Sequence, residues 1–416
     1  MAKKRRKPGW FRKHWKKVLG VYLALLAGSH LFLFLRDDPE PNPDQARNMV
    51  ELNGNNLAYL TWGGANQKKP PVILLHGSPS GGATDFRNLG PEIAKDGRLV
   101  IAIDRWGFGE SESWVDDYSF DADAMAVLGL MDQLGIGTAH LAGWSYGSAP
   151  AIVLAEREPG RIRSVTMIGG IGMQEGEGSG NYLIEHGKYA VNIILTMVLP
   201  ELIPHYGLIG SRGSRHAFAR DFWDCDQRKL KWQLQKMDAP LLIIHGKDDF
   251  LVPSWVAQEH HALKQGSRLV VLDAGHFFPL DAEGNDNLTF AAEEMRRFLT
   301  AADAGRTATL AGVLNETSRQ DLRAMWNDGP PLRGYKAWWL VILPGLMLGF
   351  ILPRTGGVLA GLGGGWMMFD WVTGVLGVVI GATLRRGEST RPRKAGTVVL
   401  CAIIGAIPAV LTLRFF

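Results

Sequence analysis

Three side chain types that could together break an acyl bond stand at separated points of this 416-residue chain. Ser145 lies in Gly143-Trp144-Ser145-Tyr146-Gly147, between an apolar run at 139–142 and a helix-forming stretch at 149–157. A serine hydroxyl is a poor nucleophile until a base takes its proton. A histidine base in turn needs a carboxylate to fix its tautomer and stabilise the imidazolium. Downstream, the apolar run 241–244 ends in His245-Gly246-Lys247-Asp248-Asp249, and the run 269–272 ends in Asp273-Ala274-Gly275-His276. Ser145, His276 and one of the two adjacent acids, Asp248 or Asp249, are therefore the candidate catalytic residues.

These residues need a scaffold that brings distant strand ends together. Short runs rich in Val, Ile and Leu recur at 72–75, 99–103, 139–142, 164–168, 241–244 and 269–272, separated in places by helix-like stretches such as 122–134. Alternation of buried strands with helices predicts a mostly parallel α/β sheet covered on both faces. In such sheets, sites lie beyond the carboxyl ends of the strands. Asn53-Gly54-Asn55 between two alternating segments predicts a hairpin before the parallel part. The glycines flanking Ser145 fit a sharp strand–turn–helix corner, where a side chain at 143 or 147 would strike its neighbours. Between 168 and 241 the rhythm breaks. Residues of about 169–238 are expected to form a helical cap whose apolar centre, 190–203, packs on the core or dips towards lipid.

Together these pieces resemble the α/β-hydrolase superfamily over residues about 48–300. The resemblance rests on His76-Gly77-Ser78-Pro79, on Asp104-Arg105-Trp106-Gly107-Phe108-Gly109-Glu110-Ser111, and on the Ser145 elbow. It is completed by Gly246-Lys247-Asp248-Asp249 with Pro253, and by Gly275-His276. It implies a Ser-acid-His order and, from the alignment of Gly-x-x-Asp with the later Pro, favours Asp249 over Asp248. It also implies an oxyanion hole made by the backbone N–H of Ser78, since Pro79 has none, and of Tyr146. Such fixed donors are typically worth about 3 kcal/mol each. Trp144, Trp106 and Phe108 are candidate substrate contacts. The His-Gly-x-Pro pattern is shared with epoxide hydrolases and haloalkane dehalogenases, which use an aspartate nucleophile. Ser145 in its place argues for acyl chemistry on a small-molecule or lipid-like substrate. A peptidase or a carbon–carbon bond hydrolase would use the same triad, and a non-catalytic binding module would keep only the fold.

No cofactor or metal is implied. The two cysteines, Cys225 and Cys401, form no ligand set, and His260-His261 lacks a spaced third ligand and reads as a solvated helix face. His76, His140 and His245 read as structural.

Charge is distributed in a way that points to membrane rather than nucleic acid. The first 17 residues hold nine Lys or Arg and no acid, and the stretch from 332 holds nine against Asp370 and Glu388. The middle is left with 27 basic and 39 acidic residues. The predicted order is a basic cytoplasmic tail (1–17), a transmembrane anchor (18–35), a linker (36–47) and the hydrolase (48–303). A second linker (304–334) and a C-terminal membrane segment (335–416) with about three apolar elements follow. Positive charge at the N-terminus places the hydrolase on the extracytoplasmic side of a multi-pass protein. Three full C-terminal crossings would then put the basic loop 385–394 outside, a conflict that a re-entrant segment around Asp370 would relieve.

Overall fold

The computed structural model describes residues 10–35, 47–64, 68–208 and 212–314. The C-terminal apolar elements, Asp370 and Cys401 lie outside the described residues.

The larger compact unit is built on one nine-stranded sheet in the order β1-β2-β4-β3-β5-β6-β7-β8-β9. Strands β1 (Asn48–Leu52) and β2 (Asn55–Gly63) form the expected hairpin. Asn53 and Gly54 both have positive φ, 52° and 82°, as a two-residue turn matched to the strands' twist requires. β2 runs antiparallel to β4 (Leu99–Ile103). From there the sheet is parallel through β3 (Val72–Leu75), β5 (Ala139–Trp144), β6 (Ile162–Ile168), β7 (Leu241–Gly246) and β8 (Arg268–Leu272).

Side chains of the central strands are buried on both sides because alternate residues enter different cores. Ile73, Leu75, Leu141 and Ile243 join the cluster shared with helices α3 (Phe120–Gln133), α4 (Ser148–Arg157), α7 (Leu230–Lys236) and α8 (Ser254–Leu263). Val72, Leu74, Ala142 and Leu242 join the cluster covered by α2 (Leu89–Ala94) and α9 (Asp286–Asp303). The stretch expected to be a linker after residue 303 instead adds β9 (Gly312–Leu314), parallel to β8. Three residues are too short for a periodic signal, so the sequence concealed this strand.

The interruption between β6 and β7 is helical, as expected, with α5 (Tyr182–Ile193) and α6 (Arg212–Trp223) preceding α7. Its apolar centre does not behave as a core element. Ile194, Leu195, Val198, Leu199, Leu202 and Ile203 are all exposed, whereas Thr196 between them is buried.

These residues fall in a second compact unit together with α1 (Trp10–Leu35). α1 contains a 22-residue stretch, His14–Leu35, long and apolar enough to cross a membrane by length and composition. Ser29 and His30, which interrupt its apolar run, have partners within this unit. Ser29 is buried, and its Oγ accepts the backbone N–H groups of His205 and Tyr206 at 3.0 and 2.8 Å. Tyr206 Oη donates to the carbonyl of Leu25 at 3.1 Å, Tyr22 Oη donates to the carbonyl of Leu202, and His30 Nε2 lies 3.0 Å from the carbonyl oxygen of Glu201. Gly28 leaves room for the approach: a Cβ there would stand 3.1 Å from Tyr206 Oη.

Candidate active site

β5 delivers Ser145 to a corner that only small neighbours permit. Its φ is 54°, a left-handed value unusual for a residue with a side chain and one that stores local strain. A Cβ on Gly143 would lie 2.2 Å from the carbonyl oxygen of Gly147, and one on Gly147 the same distance from that of Leu75. The chain closes this turn with Ser148 Oγ donating to the Gly143 carbonyl at 2.8 Å, and α4 starts at once.

The candidate acid and base come from the ends of β7 and β8. His276 Nδ1 and Asp249 Oδ2 are 2.7 Å apart, and both residues are buried. Asp249 Oδ1 accepts the N–H groups of Leu251 and Val252 at 2.9 and 2.8 Å, which fixes the carboxylate plane. Asp248 is exposed, so of the two adjacent acids it is Asp249 that meets the imidazole. Burial works to raise the pKa of Asp249. The charge and hydrogen bond of His276, with His245 and the Val252 amide, outweigh it and hold the group below its ordinary 3.8. Asp249 is therefore a carboxylate at neutral pH, and its imidazole partner is locked with Nδ1–H towards it, leaving Nε2 as the basic lone pair.

Trp144, the neighbour of Ser145 in the chain, links the elbow to His276. The Trp144 indole N–H donates to the His276 carbonyl at 3.2 Å, and the two ring centres lie 5.7 Å apart, tilted by 37°. Trp144, a candidate substrate contact, is thus almost fully buried and engaged with the base. Gly169, just past β6, has φ 51°. A Cβ there would press on Asp249 Oδ2 at 3.3 Å and His276 Nδ1 at 3.4 Å.

The loop after β3 approaches the serine from the other side. A Cβ on Gly77 would lie 3.2 Å from Ser145 Cβ, so Gly77 allows the loop carrying Ser78 to pass against the elbow. What holds this loop was not foreseen. Arg105, fully buried, donates from Nε to the His76 carbonyl at 3.1 Å and from Nη2 to the Gly77 carbonyl at 3.0 Å. Its other face pairs with Asp123 at 2.7 Å and with Asp221, from the cap, at 2.9 and 3.2 Å. The guanidinium also stacks on Tyr146, 4.1 Å from the ring centre. Burial would lower the pKa of Arg105, but Asp221 and Asp123 more than offset it, and the group stays cationic. Burial pushes Asp123 up to about 6 in spite of Arg105. The signal was the arginine itself inside the quoted Asp104–Ser111 motif, since an arginine almost never enters a core without partners.

His76 also belongs to this scaffold. Its Nε2 accepts the Arg105 N–H at 2.9 Å, and burial with the nearby Arg105 holds its pKa well below 6.5. Trp106 packs in the larger core cluster, and Phe108 is buried with its ring 5.2 Å from that of His76. His140 bridges Ser164 and Asp303. His245 sits behind the acid, with Nε2 2.8 Å from the Val252 carbonyl and 3.4 Å from Asp249 Oδ2. His260, expected on a solvated face, is instead fully buried, where a Cβ on Gly172 would come within 2.7 Å of its Nε2. Burial depresses its pKa to about 3, so it is a neutral packing residue. Among the described residues no group of His, Cys, Asp and Glu could hold a metal ion.

Residues 70–184 match a family model described as alpha/beta hydrolase fold. The chain is 28% identical over 261 residues to human serine hydrolase BPHL, covering 59% of this chain and 82% of that one. It is 39% identical over 106 residues to a 2-hydroxymuconate semialdehyde hydrolase of Pseudomonas sp. (strain CF600), covering 25% of this chain and 37% of that relative's length. A solved putative lipase from Acinetobacter baumannii AYE superposes with a TM-score of 0.50 at 17% identity, over 68% of this chain and 97% of the other.

Proposed function

The chain belongs to the α/β-hydrolase superfamily, and from that premise we propose that it is a membrane-anchored serine hydrolase cleaving ester-type acyl bonds of an apolar, lipid-like substrate. The observation that carries the reading is the 2.7 Å contact between His276 and Asp249, at the sheet rim where the strained elbow presents Ser145. His276 Nε2 takes the Ser145 proton as Oγ bonds to the substrate carbonyl carbon. The resulting oxyanion is held by the N–H groups of Ser78 and Tyr146. Collapse breaks the bond to the leaving oxygen, which receives the proton from His276. Water then repeats the sequence on the acyl-enzyme, releasing the acid and restoring Ser145.

α1 supplies the anchor, and the nine Lys or Arg ahead of its apolar run favour a cytoplasmic N-terminus with the hydrolase on the other side. The match to a 2-hydroxymuconate semialdehyde hydrolase favours one second reading, hydrolysis of a carbon–carbon bond beside a carbonyl. A fluorophosphonate probe on the full chain, with Ser145→Ala as control, tests the nucleophile. Probe attachment that survives the substitution, or is absent from the parent, sinks the mechanism. A panel of esters of increasing chain length against ring-cleavage-type dienoates then separates the two substrates.

A further inference from the structure

Residues 194–203 are amphipathic in reverse. Ile194, Leu195, Val198, Leu199, Leu202 and Ile203 fall at the i, i+1, i+4, i+5, i+8 and i+9 spacing of one helical stripe, and all are exposed. Thr196 and Pro200 face inward. In water this stripe would be an apolar patch of the kind that marks an interaction site. The same unit shows what surrounds it. The following residues, 201–206, dock on one face of α1, touching Tyr22, Leu25, Ser29 and Phe32. Those four positions span about 15 Å of helix at 1.5 Å per residue, inside a run whose length matches a bilayer's hydrocarbon core of about 30 Å. A segment fixed to that stretch of helix sits at the same depth. Backbone groups at membrane depth must be paired. Where 201–206 meet α1, four are paired by its side chains: Ser29 Oγ takes the N–H groups of His205 and Tyr206, while Tyr22 and His30 reach the carbonyls of Leu202 and Glu201. Beyond Lys17, charge in the described part of this unit gathers at one level, where Glu201 meets His30 at 3.8 Å and Arg212 at 3.5 Å, as at a headgroup boundary.

We propose that residues 194–203 are a monotopic membrane element, embedded in lipid beside the C-terminal half of α1. The inference rests on the anchor reading of α1, and the test keeps the two apart. Single cysteines are placed at Leu199, at Val21 in the anchor and at Gly160 on an open turn, in the full chain carrying Cys401→Ala. Cys225 is buried, and the parent without an added cysteine gives its background. Each variant is labelled with an environment-sensitive fluorophore and reconstituted in phosphatidylcholine–phosphatidylglycerol vesicles. Cooperative thermal unfolding confirms that each is folded. The expected result is blue-shifted emission at 199 and 21, quenched by nitroxide on the lipid acyl chains and insensitive to aqueous iodide, with the reverse at 160. Iodide quenching at 199 with lipid quenching at 21 overturns the monotopic element and leaves the anchor standing. Shielding of 199 from both quenchers assigns the stripe to protein packing and also overturns it. Iodide quenching at 21 removes the anchor and the inference together.

Discussion

The rim of the sheet and the unit holding α1 solve the same problem, polar groups out of reach of water, by opposite means. At the rim, charge is brought inside and given partners: Arg105 with Asp123 and Asp221, and the Asp249 carboxylate with the imidazole N–H of His276. Around α1 the junction is made mainly by neutral hydroxyls on backbone, Ser29 and Tyr22 above all. Buried charges lock a loop in one place but are expensive to disturb, because removing one partner strands the other. Neutral pairs lock less tightly and fail more cheaply.

The largest effect should come from the charge that the proposed chemistry uses. Asp249→Asn keeps the shape but offers the imidazole the wrong tautomer, and ester turnover should fall by about ten thousandfold with folding nearly intact. A fall of less than about tenfold would remove Asp249 from the mechanism. Next is the structural charge. Arg105→Met leaves Asp123 and Asp221 buried without a cation and should cost about 3–5 kcal/mol in denaturant unfolding. If stability is unchanged, the clamp on the His76 and Gly77 carbonyls is not what holds the loop. Ser29→Ala should be milder, costing about 1–3 kcal/mol locally. It is read as faster hydrogen exchange at the amides of His205 and Tyr206, with activity retained. Unchanged exchange there would erase the contrast with the rim.

The smallest effect concerns Glu177, whose carboxyl contacts Tyr189 Oη and Gln174 in the cap. Burial, with Glu185 adding to it, raises its pKa from 4.5 to about 7. The folded state therefore holds this proton more tightly than the unfolded state. Its stability declines as pH rises from about 4.5 through about 7. Thermal unfolding of Glu177→Gln across that window should show a flatter pH dependence than the parent, and an identical slope would discount the residue.

How much of this could be read in the sequence follows from the range of each interaction. The elbow was legible because Gly143, Ser145 and Gly147 act on each other within five residues. The acid was legible as a pair, and the neighbour that touches the imidazole is the one favoured by the position of Pro253. Arg105 was visible inside a motif, but its partner Asp221 lies 116 positions away in a cap that no periodicity ties to the sheet. The apolar run at 194–203 reads the same whether it faces a core or lipid, since hydropathy reports transfer from water and not the destination. In the sequence, Ser29 is only a polar break in an apolar run. Only the fold shows two amide hydrogens arriving at its oxygen.

The short strand β9 has a mechanical consequence. It pairs with β8 over only Gly312–Leu314, and β8 leads directly into the loop bearing His276. Any pull on the polypeptide beyond residue 314 loads this edge first. With three register pairs, against five between β7 and β8, it is the thinner of the two seams that flank the strand leading to His276.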